Sequence, residues 1–210
     1  MCGIGALSLT SKQRIGKYIL PALAGMQEDA RGSDGNGVAY LEDDNTIKLI
    51  KDMEITDLEE IMNKTSTEAI FHTRKASVGK INPENCHPFL NEDGTIALCG
   101  NGHCGTWHRK EFEKTHTFTS ETDTEIILHI IEEGIKNIDK DDIVEICDII
   151  IELDDEYDFS HNIAVLLPEY IIVGKFSYNS LYYYEFKDGI LVTTSCLLYT
   201  SDAADELDGV

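Results

Sequence analysis

Basic residues are in short supply: 17 Lys and Arg stand against 39 Asp and Glu, a formal net charge of −22 at pH 7. Nucleic acids and anionic membranes both reward Lys and Arg, so neither is an expected partner. The acidic excess reads instead as a well-solvated surface. No run of eighteen apolar residues occurs, so the sequence holds no candidate membrane-spanning helix. A basic region followed by an apolar core is also missing from the N-terminus, which argues against a signal peptide. A soluble, cytoplasmic protein is the expectation. The six cysteines lack the short regular spacings of a disulfide framework and are expected to stay reduced. Gly35-x-Gly37 and Gly100-x-Gly102 carry neither the full glycine spacing nor the lysine of a nucleotide-binding loop. No repeat or low-complexity linker divides the chain. With 42% hydrophobic residues in 210, one domain with a good-sized core is expected.

What is present alternates between strand and helix. Gly3 to Leu9 is a short apolar run that predicts a buried strand. Ile15, Ile19, Ala22, Leu23 and Met26 recur at helical spacing and predict a helix over 13–29, in spite of Pro21. Arg31-Gly-Ser-Asp-Gly-Asn-Gly37 reads as a turn. Gly37–Leu41 and Thr46–Lys51 predict a hairpin. A helix is expected over 55–62, and strands over 69–73 and 95–99. Ser120 is a candidate cap for a helix running to about Ile135, with a second acidic helix over 141–153. Three or four strands are expected, over 162–167, 170–175, 181–186 and 190–194. The sum is an α+β domain with two sheets and helices covering them.

Residues 196–206 read Cys-Leu-Leu-Tyr-Thr-Ser-Asp-Ala-Ala-Asp-Glu, which is similar to one reading frame of a common transposase sequencing adapter. The tail 196–210 is therefore expected to be non-native and is set aside from fold reasoning. The native part is expected to run over 1–195, cut off before the end of its gene.

Chemistry begins at residue two. Cysteine is small enough for initiator methionine to be removed ahead of it, which would give Cys2 both a thiol and a free α-amine. The thiol is only slightly ionised near neutrality, but the neutral fraction of an α-amine is a usable base. One terminal residue can then supply nucleophile and base together. Taken alone, Met-Cys carries little information; four further segments follow it in order. They are Arg31–Gly37, Phe71-His-Thr-Arg-Lys-Ala-Ser-Val-Gly79 with Asn85-Cys-His-Pro-Phe89, Cys99-Gly-Asn-Gly102, and Ser120-Glu-Thr-Asp-Thr-Glu125.

With these motifs the sequence resembles the class II glutamine amidotransferases, which are N-terminal-nucleophile hydrolases. It looks most like the glutaminase half of the glucosamine-6-phosphate synthases. The resemblance implies a four-layer αββα sandwich of two mostly antiparallel sheets, glutamine as substrate, no cofactor and no metal. It also implies an ammonia-accepting synthase domain or subunit as partner. Residue by residue, it implies that Cys2 attacks the amide and that Asn101 and Gly102 form the oxyanion hole. Arg74 would grip the substrate carboxylate, Asp123 its ammonium, and Ser77 and His87 would stand near the substrate. Each has a plainer reading: a surface ion pair for Arg74, a helix cap for Asp123, a hairpin turn for Asn101-Gly102, and a structural part for His87. Lys75, Val78, Gly100, His103 and Cys104 depart from the family pattern, which puts the ammonia acceptor in doubt. Two competing functional readings remain, a non-catalytic glutamine-binding module and a hydrolase of other linear amides. Cys86, His87, Cys99, His103 and Cys104 are a weak zinc candidate; the cysteines read better as small buried apolar residues.

Overall fold

The computed structural model describes residues 1–196, apart from the side chains of Glu59 and Thr106. The tail expectation thus lies outside the described residues, except for exposed Cys196. The strands are β1 (Gly3–Arg14), β2 (Asn36–Leu41), β3 (Ile47–Asp52), β4 (Thr65–Thr73), β5 (Phe89–Leu90), β6 (Ala97–Gly102), β7 (His161–Leu166), β8 (Ile171–Lys175), β9 (Tyr182–Phe186) and β10 (Gly189–Thr193). The helices are α1 (Gly16–Glu28), α2 (Arg109–Phe112), α3 (Thr124–Ile135) and α4 (Ile143–Tyr157), with 3₁₀ segments at Ile55–Asn63, Pro83–Asn85 and Thr106–His108. Six strands form one sheet in the order β3-β2-β4-β1-β10-β9, and four form a second in the order β5-β6-β7-β8. All the pairings are antiparallel.

Period-two alternation along these strands builds the layers. On β1, Leu7 and Leu9 face one way, into a cluster with Ile15, Ile19, Leu23 and Met26 around α1. Ile4 and Ala6 face the other way, into a cluster with Ala39, Ile70, Ala97, Cys99 and Ala164. The same split runs through β6 and β7: Ala97, Cys99, Ala164 and Leu166 point between the sheets. Leu98, Ile163 and Val165 point outward onto Ile127, Ile130, Ile131 and Ile150 of α3 and α4. Three cores between four layers are the expected αββα sandwich. The core between the sheets includes Ala6, Ala39, Ala97, Cys99 and Ala164, small side chains that let the two sheets approach closely. Each Leu, Ile or Phe fully buried in the outer layers contributes about 1.5–3 kcal/mol.

Boundaries moved where tertiary pairing overrode local pattern. β1 runs on to Arg14 because Gln13 and Arg14 pair with Ser66 and Thr65 beyond an irregularity in register. Consequently α1 starts at Gly16 rather than residue 13. Pro21 sits inside it, and the helix persists because Ile19, Ala22, Leu23 and Met26 are all buried. The expected helix over 55–62 is a 3₁₀ segment. Ser120 does not cap α3, which begins at Thr124. Its amide and hydroxyl, with those of Thr119, are taken by the buried carboxylate of Glu125 at 2.6–2.7 Å. The second acidic helix, α4, starts where Asp142 accepts from the Glu145 amide at 3.0 Å. β9 is the edge of the larger sheet among the described residues, with Tyr183 72% exposed.

Candidate active site

Both sheets end at the same place. β1 begins and β4 finishes side by side, Gly3 opposite Thr73, so Cys2 lies against the chain leaving β4 at Arg74 and Lys75. The Lys75 amide donates to Cys2 Sγ at 3.2 Å, and the thiol donates to the Lys75 carbonyl at 3.5 Å. Burial pushes the thiol pKa above its ordinary value, and the Lys75 hydrogen bond with the nearby positive charges only partly offsets this. From the other sheet, β6 delivers Asn101 and Gly102 at its end, and the N-terminus of α3 delivers Asp123.

Cys2, Arg74, Ser77, His87, Gly102 and Asp123 line one pocket, together with Lys75, Val78, Gly100, Thr122 and Thr124. The structure therefore gathers six of the seven residues singled out from sequence, and the seventh, Asn101, stands between two lining glycines. The pocket encloses about 20 Å³ of solvent space, room for about one water. A substrate larger than that requires side chains around it to move.

Asn101 and Gly102 form no hairpin turn. They are paired within the sheet, opposite Asn162 and His161. Gly102 approaches β7 so closely that a Cβ there would lie 2.2 Å from the Ser160 carbonyl oxygen. Asn101 is 3% exposed, and its Nδ2 is buried without a hydrogen-bond partner among the described residues. Leaving such a donor unpaired costs about 1–3 kcal/mol, so the fold carries it at a loss.

Arg74 is buried, not a surface ion pair. Its Nη1 and Nη2 donate to the Lys80 and Val78 carbonyls, both at 2.7 Å. The glycine-rich 31–37 turn supports the same segment: the Arg74 amide donates to Gly35 O at 2.7 Å and the Asp34 amide to Arg74 O at 2.8 Å. Gly35 has φ +134°, and a Cβ on it would stand 2.2 Å from Cys86 Sγ, so glycine is required twice over. Asp34 also accepts from the Ala76 amide at 3.0 Å and pairs with Lys75 Nζ at 3.3 Å. Asp123 stands at the N-cap position of α3, but its side chain does not cap the helix. Its Oδ2 accepts from the Cys104 amide at 3.0 Å and meets His103 Nδ1 at 3.0 Å.

His87, which precedes a cis proline, stacks on His72 and accepts the Gly100 amide on Nδ1 at 3.4 Å. His72 Nε2 lies 3.2 Å from the Gly100 carbonyl. The two rings thus hold both sides of the residue before Asn101. His72 was not among the residues singled out, although it sits inside the Phe71–Gly79 motif beside Arg74. Strand alternation, which turns it to the face opposite Phe71 and Thr73, was the signal available. Cys86, Cys99 and Cys104 are fully buried, as small apolar residues would be, and Cys99 and Cys104 lie in different cores, so the zinc candidate read from the sequence is not assembled.

A model of the family described as class-II glutamine amidotransferases matches residues 6–183. The chain belongs to that family. It is 35% identical over 144 residues to a glutamine–fructose-6-phosphate aminotransferase (isomerizing) of Methanococcus maripaludis, covering 65% of this chain and 23% of the relative. The enzyme of the same name from Sulfolobus acidocaldarius is 36% identical over 146 residues, covering 65% and 24%. The chain thus spans about a quarter of the length of these curated relatives. Among solved structures, the glutamine phosphoribosylpyrophosphate amidotransferase of B. subtilis superposes with a TM-score of 0.71 at 18% identity, over 92% of this chain and 42% of that one. A class-II domain protein from Silicibacter pomeroyi gives 0.59 at 18% identity, over 91% and 88%. These two establish the fold: the two-sheet sandwich is that of the class-II amidotransferases. Among the described residues no helix is long and apolar enough to cross a membrane.

Proposed function

We propose that this domain, assigned to residues 1–195, hydrolyses the side-chain amide of glutamine to glutamate and ammonia, with Cys2 as nucleophile once Met1 is removed. The observation that carries this reading is the unpaired Nδ2 of Asn101, a buried donor one residue from the Gly102 amide and next to the Cys2 pocket. A donor held without a partner suits a charge that exists only during reaction. Met1 is 65% exposed, so its removal disturbs little packing.

In this mechanism the α-amine of Cys2 takes the thiol proton, directly or through one water, as Sγ attacks the amide carbonyl carbon. The raised thiol pKa makes this base necessary, because the thiol does not ionise unaided near neutrality. Asn101 Nδ2 and the Gly102 amide receive the oxyanion. The protonated amine returns its proton to the leaving nitrogen, the C–N bond breaks, and ammonia departs from a γ-glutamyl thioester. Water then adds to the thioester, and glutamate leaves as the thiol is restored. Arg74 binds the α-carboxylate after giving up one or both carbonyls it now holds, and Asp123 binds the α-ammonium. Ser77 borders the substrate, while His87 positions the strand that carries Asn101. No cofactor enters.

The ammonia is consumed by a synthase domain or subunit, as the names of the curated relatives suggest, and the activity is cytoplasmic. The direct test is glutamate release by the full chain and its loss in Cys2→Ala with the fold retained. A folded Cys2→Ala protein that still releases glutamate at the normal rate overturns the proposal.

A further inference from the structure

We propose that His116, His129 and Glu132 form a zinc site separate from the Cys2 pocket, which none of them lines, with a fourth coordination position open to the adjoining cavity. The three side chains come from two elements. His129 and Glu132 lie one turn apart on α3, and His116 sits on the segment that follows α2. One ligand atom from each falls within 4.8 Å of the others. His129 Nδ1 is 3.0 Å from Glu132 Oε2, and His116 Nε2 is 3.8 Å from the same oxygen. Small movements of these side chains bring all three to zinc–ligand distances of about 2.0–2.2 Å.

Proton accounting favours a cation between them. The Thr115 hydroxyl has a single proton and donates it to the Phe112 carbonyl at 3.4 Å. His116 Nδ1 lies 2.9 Å from the same oxygen, and in the tautomer that carries its proton on Nδ1 the Nε2 lone pair faces outward. That lone pair meets the carboxylates of Glu132 and of Glu133, the latter at 3.4 Å. Acceptors converging on acceptors repel unless a proton or a metal ion lies between them.

The outer partners match those of a built site. Asn91 Nδ2 holds Glu132 Oε1 at 2.9 Å, leaving Oε2 for the ion. Thr115 Oγ1 holds His116 Nδ1 at 2.9 Å, and Lys136 Nζ draws Glu133 aside at 3.2 Å. His129 is buried behind the other two against the edge of Phe118. His116 and Glu132 line a cavity of about 600 Å³ that also touches Asn91, Thr95 and Lys136. Two imidazoles and one carboxylate suit zinc, and three protein ligands with an open side are the arrangement of sites that admit water or a small ligand.

The test titrates the full chain with cobalt(II) as a coloured stand-in for zinc, then displaces it with zinc. Cys2→Ala is run in parallel because an N-terminal cysteine chelates metal by itself. The expected result is one equivalent bound in Cys2→Ala, with the absorption of a four- or five-coordinate nitrogen–oxygen site. His116→Ala and Glu132→Gln in that background abolish the spectrum, and Thr115→Ala weakens binding by roughly 10–100-fold. The His116 side chain is only 9% exposed, so circular dichroism checks that its variant keeps the fold, and Glu132→Gln provides the second, more conservative test. Zinc also raises the Tm of the parent and not of His116→Ala. Absence of stoichiometric binding in Cys2→Ala overturns the proposal, as does binding that His116→Ala and Glu132→Gln leave unchanged.

Discussion

The rings of His72 and His87 stack with centroids 4.1 Å apart and an angle of 20° between them, one on each side of the Gly100 peptide. Two imidazolium ions do not stack in this way without solvent. Burial holds His72 neutral, with its pKa depressed to about 3, and burial likewise takes His87 well below its ordinary value. A histidine with a depressed folded pKa gives stability that is complete above the unfolded value of about 6.5 and falls away below it. Urea unfolding between pH 7.5 and 5.5, where most carboxylates stay ionised, should therefore show stability falling as the pH drops. Each histidine adds up to about 1.4 kcal/mol per pH unit in the lower half of that window. His72→Asn should flatten the slope; an unchanged slope contradicts neutral burial.

Glu68 works in the opposite sense. Ser8 donates to its Oε1 at 3.0 Å while Oε2 is buried without a partner among the described residues. Burial raises its pKa to about 7, against a smaller lowering by Ser8. With the folded value above the unfolded one, the neutral acid is favoured in the fold. Its contribution is full below about pH 4.3 and is lost as the pH rises toward 7. Glu68→Gln should raise the Tm at pH 8 by a few degrees, with the gain vanishing near pH 4. An equal gain at both pH values rules out the titration.

Arg74 and Asn101 should separate binding from chemistry. Arg74→Lys keeps the charge but loses the planar fork. The expected effect is a KM for glutamine raised about 10- to 100-fold, the size of one lost charge-assisted hydrogen bond of ~1.5–3 kcal/mol. Asn101→Ala should instead lower kcat by about 10²–10³ with little change in KM. Steady-state kinetics with glutamate detection decides. Similar losses of glutamine affinity in both variants, with no glutamate release from the parent, favour a binding module.

How much of this was legible in the sequence depends on the range of the interaction. The strands expected over 95–99 and 162–167 formed close to their places as β6 and β7, because local burial is written into successive residues, whereas the four layers were implied by the family resemblance. The motif order from Cys2 to Glu125 identified the residues that one pocket gathers. What failed was set by distant partners. β1 ran past Leu9 because Ser66 and Thr65 wait opposite Gln13 and Arg14. Ser120 was claimed by Glu125 rather than by a helix end. Asp123, a cap by position, spends its carboxylate on Cys104 and His103, two of the residues that depart from the family pattern. His72 joined the site only through a stack with a residue fifteen positions away. No local pattern encodes such pairings.

The central claim is that Cys2 acts through its own α-amine. The most direct measurement compares glutamate release by two preparations of the same chain, one with Met1 removed and one with Met1 retained by blocking its cleavage, each defined by mass spectrometry. The thiol, Arg74, Asn101 and Asp123 are the same in both; only the amine differs, free in one and bound in a peptide in the other. The processed chain should release glutamate from glutamine and the Met1-retained chain should release none. Equal rates from the two would contradict the account.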